Sequence, residues 1–462
     1  MLDLFDNTIC APAAASGGAI SVIRVSGPDA IACVDRIFQG HTPLSEARGY
    51  TVHYGTLREA DGALLDEVVV TVFRAPHSYT GENATEIACH GSQYIVSRIL
   101  ALLRQNGAKM AAPGEFTQRA FLRGKMDLSQ AEAVADLIAA QTAAAHRIAL
   151  KQLKGGFSQE LAGMRAELLH LASLMELELD FSEEDVEFAD RSQLRELVGK
   201  VLAHCEKLIE SFRLGNAIKN GVPVAIVGNT NSGKSTLLNA LLGENRAIVS
   251  DIPGTTRDTV EETFNLDGVL FRFIDTAGLR ESDDTIERIG IERAYEKLSA
   301  ARLVLAVLDL TAPLSVIRAS AAQIASRVSE DQQLFLLLNK ADAVTAETAT
   351  QAREALGDSP IFTISAKSGE GLEVLRQALA ASWRDLDMAA ETTLVTNTRH
   401  LEALQLAATA LRRVQQGLLT ATPTDLVAQD LRECLYHLGS IVGEVSNNDI
   451  LRNIFEHFCI GK

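Results

Sequence analysis

Midway along the chain the sequence reads VAIVGNTNSGKSTLLNALLG, and its centre, Gly228 to Thr236, has the spacing G-x-x-x-x-G-K-[ST]. No other stretch restricts the fold so tightly. Its glycines free backbone N–H groups to wrap phosphate oxygens, and the helix opening at the lysine turns its positive end to the same point. The apolar run before the loop and the leucine-rich run after it supply the strand and the helix that such a loop joins. Lys234 is then the cation for the outer phosphates and Ser235 the hydroxyl ligand for Mg2+. Asn231, Ser232, Gly233 and Thr236 complete the phosphate-binding stretch.

Three more motifs follow in order, each at the end of an apolar strand. In DTAG (Asp275, Thr276, Ala277, Gly278) the carboxylate suits Mg2+ through water, and the glycine N–H can sense a γ-phosphate. In NKAD (Asn339, Lys340, Asp342) a carboxylate can accept from both the ring N–H and the amino group of guanine. Adenine lacks that donor pair, so it would leave the acid unsatisfied and be rejected. In SAK (Ser365, Ala366, Lys367) the backbone can reach the guanine oxygen. Together these predict a GTP site. Between the first two motifs lies SDIPGTTRD, with Ser250, Asp251, Ile252, Pro253, Gly254, Thr255 and Thr256. Thr256 is the second Mg2+ ligand expected, released when the γ-phosphate leaves, which makes the loop a switch. Where many GTPases place a water-orienting Gln, this chain has Leu279, which cannot hydrogen-bond. Arg257 and Arg280 are the nearby candidates for a compensating charge.

The texture around this unit predicts a multidomain chain. Residues 1–120 are rich in short β-branched runs (AISVIRVSG, TVHYGTLR, DEVVVTVFRAP, ATEIACHG) with one helical pattern that stops at Gly107, an α+β domain. Residues 121–218 are helical, with SQAE at Ser129–Glu132 read as a capping box. Residues 219–384 alternate buried strands and helices, an α/β domain of Ras-like type with a parallel sheet. Residues 385–462 return to helix. One all-α domain interrupted by an inserted α/β domain is the economical arrangement.

Composition narrows the partners. The formal net charge is −17, so contact with nucleic acid needs a local basic patch and not a global field. TQRAFLRGK, with Arg119, Arg123 and Lys125, is such a stretch. The acidic run ELELDFSEEDVEFAD, Glu176 to Asp190, reads as a solvated helix face and loop. Six dispersed cysteines fit reduced thiols in the cytoplasm. The first residues lack the basic region of a leader, and no apolar run reaches the ~20 residues of a membrane span.

Taken together, GNTNSGKS, DIPGTTRD, DTAGLR followed by IERIGIERA, NKAD, SAKSGEGL and the terminal CIGK resemble the tRNA-modification GTPases of the MnmE (TrmE) family. VIRVSGP, APHSYTGENATEIACHG and PGEFTQRAFLRGKMDLSQAEAVADLI are similar to that family's folate-binding domain and first helix. The resemblance implies a homodimer that works with the flavoprotein MnmG, as a heterotetramer, on the wobble uridine of certain tRNAs. It implies a one-carbon unit from 5-formyl-tetrahydrofolate or a related folate, held at positions matching Arg24, Glu82, Lys125 and Lys462. It also implies a K+ ion in place of an arginine finger, with Asn231, Ser250, Ile252 and Thr255 as ligands. Glu287 matches the water-orienting acid, so Glu287, Lys234 and Thr256 are the expected catalytic residues. The sequence departs from the family at Ser250, where Thr is usual, at Ser92 and Gln93 in place of a Gly-rich turn, and at AAASGG near the N-terminus.

The last residues, FCIGK, have a cysteine where a prenylation box would. Gly is not aliphatic and Lys is not a usual final residue, and no polybasic stretch supports an anchor. Cys459 is read as either a reactive thiol or a small apolar helix-end residue. Two other function classes use the same loop: a ribosome-assembly switch without RNA chemistry, and a one-carbon enzyme that GTP regulates. The first usually carries a basic RNA-binding appendage, which this acidic chain lacks.

Overall fold

The computed structural model describes residues 7–14, 17–180, 191–243, 262–274, 298, 301–330, 332–357, 360–383, 393–420, 422–445, 448–456, 458 and 461. The first sheet has seven strands: β1 (Ile9–Pro12), β2 (Ile20–Ser26), β3 (Phe38–Gly40), β4 (Thr51–Arg58), β5 (Leu64–Phe73), β6 (Ala84–His90) and β7 (Lys109–Met110). Their spatial order is β3-β4-β5-β6-β2-β1-β7. All neighbours run antiparallel except β1 and β7. The period-2 pattern of β5 turns Val68, Val70 and Val72 inward. They pack under helices α1 (Ala30–Asp35) and α2 (Gln93–Gln105). Helix α2 stops where the sequence says: Gly107 has φ 103°, and the Ala108 N–H donates to the Leu103 carbonyl at 3.0 Å. On the opposite face Val52 and Tyr54 of β4 and Val69 of β5 stay exposed, with Ile20 of β2 beside them.

A helical stretch follows: α3 (Glu115–Leu122), α4 (Leu128–Ala139), α5 (Ala143–Leu153), α6 (Gly156–Asp180) and α7 (Arg191–Asn220). The cap of α4 differs from the expected Ser129–Glu132 box. Asp127 accepts from the Gln130 N–H at 2.9 Å, and Gln130 Oε1 accepts from the Asp127 N–H at 2.9 Å. The reason is tertiary: Glu132 is buried and drawn away from the helix start, and the Ser129 hydroxyl faces that of Ser158 at 3.2 Å.

The second sheet then intervenes. It holds β8 (Val222–Val227), β9 (Glu262–Leu266), β10 (Val269–Phe273), β11 (Leu303–Asp309), β12 (Gln333–Asn339) and β13 (Ile361–Thr363) in the order β13-β12-β11-β8-β10-β9. It is parallel apart from the β9–β10 hairpin. Among the helices that alternate with its strands are α8 (Lys234–Leu242), α9 (Leu314–Ala325), α10 (Ala346–Glu354) and α11 (Leu372–Ser382). The chain returns as α12 (Thr398–Leu419), α13 (Thr424–Val442) and α14 (Asn448–Phe455). Leu161 and Leu168 of α6, Val198 and Cys205 of α7, Leu404 and Leu411 of α12, and Leu431 and Leu438 of α13 share one core. The outgoing and returning passes touch. A Cβ on Gly215 would lie 2.2 Å from the Val395 carbonyl oxygen, and the Val395 N–H donates to Ser211 Oγ at 3.1 Å.

A buried ion cluster closes the two helical halves. Arg399 donates to Glu132 through Nε at 2.9 Å and Nη2 at 3.0 Å, and His400 Nε2 lies 2.6 Å from Glu132 Oε2. Burial alone would raise the Glu132 pKa, but the His400 and Arg399 charges outweigh it and hold the carboxyl at about 2. Replacing Glu132→Gln strips the partly buried Arg399 guanidinium of its counter-charge and should cost about 2–3 kcal/mol near neutral pH, less than a fully buried pair because solvent reaches the arginine. Because the folded pKa is depressed, the stabilisation is complete above the unfolded carboxylate value of about 4.3 and is lost as pH falls towards 2. Urea unfolding of both proteins at several pH values should show their stability gap shrinking over that window. A gap unchanged between neutrality and pH of about 3 would remove this role.

Candidate functional site

The glycine-rich loop sits where β8 meets α8, and two of its glycines are obligatory. Gly228 has φ 153° and Gly233 φ 98°. A Cβ on Gly228 would meet the Val307 carbonyl oxygen at 2.3 Å, and one on Gly233 would meet Asn339 Nδ2 at 2.2 Å. The loop therefore wraps as a backbone cradle open to phosphate. Lys234 Nζ donates to the Gly228 and Asn229 carbonyls at 3.0 and 2.8 Å, so the cation lies across the cradle. Its partial burial lowers its pKa from the ordinary lysine value. Ser235 and Thr236 stand exposed on the first turn of α8. Asn231 is exposed at the loop tip in a left-handed conformation, φ 60°. The Ser232 hydroxyl is buried and has no hydrogen-bond partner among the described residues.

The NKAD and SAK loops are tied to this cradle by one side chain. Asn339, only 2% exposed, donates from Nδ2 to the Ser232 carbonyl at 2.8 Å and accepts the Ala366 N–H on Oδ1 at 2.9 Å. It thus joins the phosphate loop to the loop after β13. Asp342 is exposed, and its Oδ1 accepts from Ser365 Oγ at 2.6 Å. The Ser365 side chain in turn takes the Ser368 N–H at 3.1 Å, which leaves Lys367 exposed at the rim. Lys340, left-handed at φ 68°, reaches back to Asp309 Oδ2 at 2.7 Å. Asp309 is a residue that sequence reasoning missed. Its position at the end of an apolar strand, LVLAVLD, is the signal that could have found it.

Three of the four motif groups, those that follow β8, β12 and β13, are thus brought to one edge of the sheet. Ser250, Asp251, Ile252, Pro253, Gly254, Thr255 and Thr256 of the switch loop lie outside the described residues. So do Asp275, Thr276, Ala277, Gly278, Leu279 and Glu287, with the arginines Arg257 and Arg280.

A second constellation gathers on the first sheet around residues 74–83. Arg24 of β2 is held by Glu86 (Nε and Nη2 to Oε1, 2.9 and 2.8 Å) and lies over the Tyr79 and Phe116 rings at 5.3 and 5.7 Å. Its Nη1 also donates to the Gly461 carbonyl at 3.3 Å. The chain's last described residue is therefore beside Arg24, while Cys459 and Lys462 lie outside the described residues. Phe455 and Phe458 seat this tail against Leu128 and Ala131. Lys125 Nζ donates to the Pro76 carbonyl at 3.1 Å. Glu82 is 3% exposed; it accepts from Ser26 Oγ at 2.9 Å, from Arg119 at 3.2 Å and from Arg123 at 3.0 Å. Arg119 is fully buried on Glu82 and Glu115, so it drops out of the surface patch that TQRAFLRGK suggested. A buried carboxylate pulled it inward, and Arg123 and Lys125 alone of the three remain exposed.

With this geometry in place, the comparisons with known proteins converge. The profile of the MnmE helical domain matches residues 128–459, and that of the GTP-binding protein TrmE N-terminus matches residues 8–125. The chain is 52% identical to a tRNA modification GTPase MnmE of Bacteroides thetaiotaomicron, covering 99% of both chains. It is also 52% identical to that of Parabacteroides distasonis (99% of this chain, 100% of the relative). With that of Porphyromonas gingivalis the identity is 50%, over 99% of this chain and 98% of the relative. The chain belongs to the MnmE family of tRNA-modification GTPases.

Proposed function

We propose that this protein hydrolyses GTP to GDP and phosphate and uses that cycle in modifying tRNA. In this reading the inserted domain closes against its counterpart in a second copy. That closure drives, together with the flavoprotein MnmG, addition of an aminomethyl or carboxymethylaminomethyl group at C5 of the wobble uridine. The observation that carries the GTP reading is Asn339, which binds the phosphate cradle through Ser232 and the base loop through Ala366. One side chain thus fixes the distance between the two halves of a nucleotide site. The domain limits in this reading are 1–120, 121–218, 219–384 and 385–462.

Each residue has a chemical task. The cradle and Lys234 orient and neutralise the β- and γ-phosphates, Asp342 pairs with the guanine edge, and Glu287 orients the attacking water. Ser235 and Thr256 would hold Mg2+, which when bound neutralises charge on the phosphate oxygens. Asn231, with Ser250, Ile252 and Thr255, would hold K+, whose charge replaces the missing arginine finger. The exposed, left-handed setting of Asn231 at the loop tip supports that assignment, since it leaves the side chain accessible to an ion. For the folate, Arg24, Lys125 and Lys462 supply cations for its carboxylates. Glu82, which also holds Arg119 and Arg123, is the acid of the same folate set. The uncovered sheet face with Val52, Tyr54, Val69 and Ile20 supports a homodimer through the first domain.

Steady-state hydrolysis in KCl should exceed that in NaCl at equal ionic strength by on the order of tenfold or more, and Asn231→Ala should abolish the difference. Equal slow rates in both salts would refute the ion site. Glu287→Ala should lower kcat on the order of a hundredfold while retaining GTP binding; unchanged turnover would release Glu287 from this role. In a deletion strain, mass spectrometry of tRNA nucleosides should reveal an unmodified wobble uridine. Intact modification there would favour a ribosome-assembly switch instead.

A further inference from the structure

The chain enters and leaves the inserted domain beside α4, which grips each pass with one acid. Glu132 and Asp136 stand one turn apart on that helix. Glu132 holds the returning pass through Arg399 and His400. Asp136 holds the outgoing pass: its Oδ1 lies 2.8 Å from Nζ of Lys219, in the last turn of α7. Gln152 of α5 adds to the hold on the returning pass, donating to the Leu394 carbonyl and to Thr396 Oγ1 at 3.3 Å each.

The two grips are unequal. Against the effect of burial, the His400 and Arg399 charges keep the Glu132 carboxyl at about 2, so it stays ionised and paired. Burial raises the Asp136 pKa above its usual value, and the Lys219 charge offsets that only in part. Solvent reaches both ends of this second pair, whose side chains are 16% and 28% exposed, and such a pair holds weakly. Two residues past Lys219, Gly221 takes φ 85° and turns the chain from α7 into β8. Beside the pair opens a cleft of about 410 Å³ lined by Asp136, Ala140, Gln152, Lys219, Asn220 and Thr396, among others. The returning pass therefore has a fixed point. The outgoing pass has a weak bond, a pliant residue and room to move.

We propose that the inserted domain turns on the helical frame about the Glu132–Arg399 pair as a pivot, with Asp136–Lys219 as a latch that parts when the domain closes. The inference rests on the closure reading above and adds where the domain turns and what holds it at rest. The latch exists only in the resting orientation, so its strength is part of what closure has to overcome. Removing it brings the closed arrangement nearer without touching the nucleotide site.

The test follows backbone amide exchange by mass spectrometry in the full-length protein in KCl, with GDP or with a non-hydrolysable GTP analogue. In the wild type, amides 217–220 should exchange about fivefold or more faster with the analogue than with GDP, while amides 401–405 beside the pivot keep one rate. Asp136→Asn should show the fast rate at 217–220 with GDP already. It should also raise turnover in KCl about twofold to fivefold at unchanged GDP affinity. Lys219→Met should act alike, and the double variant should go no further, since the latch is already gone. Asp136→Glu, which keeps the charge, should stay near the wild type. Equal loosening of both passes, or turnover and exchange unmoved by Asp136→Asn, would overturn the latch while leaving closure standing. Wild-type hydrolysis that is equally slow in KCl and NaCl would remove closure itself, and the latch with it.

Discussion

The Glu132 carboxylate is the point on which the architecture turns. It is one buried negative charge facing an arginine and a histidine that arrive more than two hundred and fifty residues later in the chain. Arg399 does more than answer that charge. It also donates to the Ser440 and Ile441 carbonyls at 2.8 and 2.9 Å, at the C-terminal end of α13, where a helix leaves acceptors unpaired and favours a cation. A single guanidinium thus fastens α4, α12 and α13 together. Removing either partner would bury an unanswered charge, so the helical frame has one closed arrangement. The inserted domain hangs from that frame by two touching chain passes. Ala217 and Ile218 of α7 and Ala144 and Ile148 of α5 continue into the inserted domain's core.

Within the inserted domain, one buried amide plays the corresponding part. Asn339 spends its donor on the phosphate loop and its acceptor on the loop after β13, so neither loop can shift without breaking a buried hydrogen bond. The absence of a side chain at Gly233 makes room for that amide. The unpartnered Ser232 hydroxyl, by contrast, is a polar atom buried inside the cradle, and nothing among the described residues satisfies it.

What the sequence revealed follows from what each feature depends on. The phosphate loop, NKAD and SAK were legible because their chemistry lies in contiguous residues and in backbone conformations that only certain residues adopt. Strands β2, β4, β5 and β6 of the first sheet and β8, β10, β11, β12 and β13 of the second were legible from β-branched and apolar runs, and the end of α2 from Gly107, whereas β1, β3, β7 and β9 have too short or too mixed a pattern to be read. The helix cap at Asp127 was misplaced by two residues because Ser129–Glu132 also has the right spacing. Only the distant Arg399 and His400 decide that Glu132 faces inward. Arg119 was read as a surface cation for the same reason, since nothing local announces that Glu82 and Glu115 will enclose it. Asp309 went unnoticed because its meaning lies in a neighbouring strand. Contacts across sequence leave no local mark, and these were the ones missed.

The helical core also sets an order of events in synthesis. Its first portion, α6 and α7, is made before the inserted domain, and its second, α12 and α13, afterwards. At about 5–20 residues per second, the wait between them lasts on the order of ten seconds or more. During that interval Leu161, Leu168, Val198 and Cys205 lack their partners from α12 and α13, while the first sheet and the inserted domain can already fold as units on the nascent chain. The interior of the helical domain therefore becomes dry late, followed only by the tail cluster in which Phe455 and Phe458 cover Leu128 and Ala131.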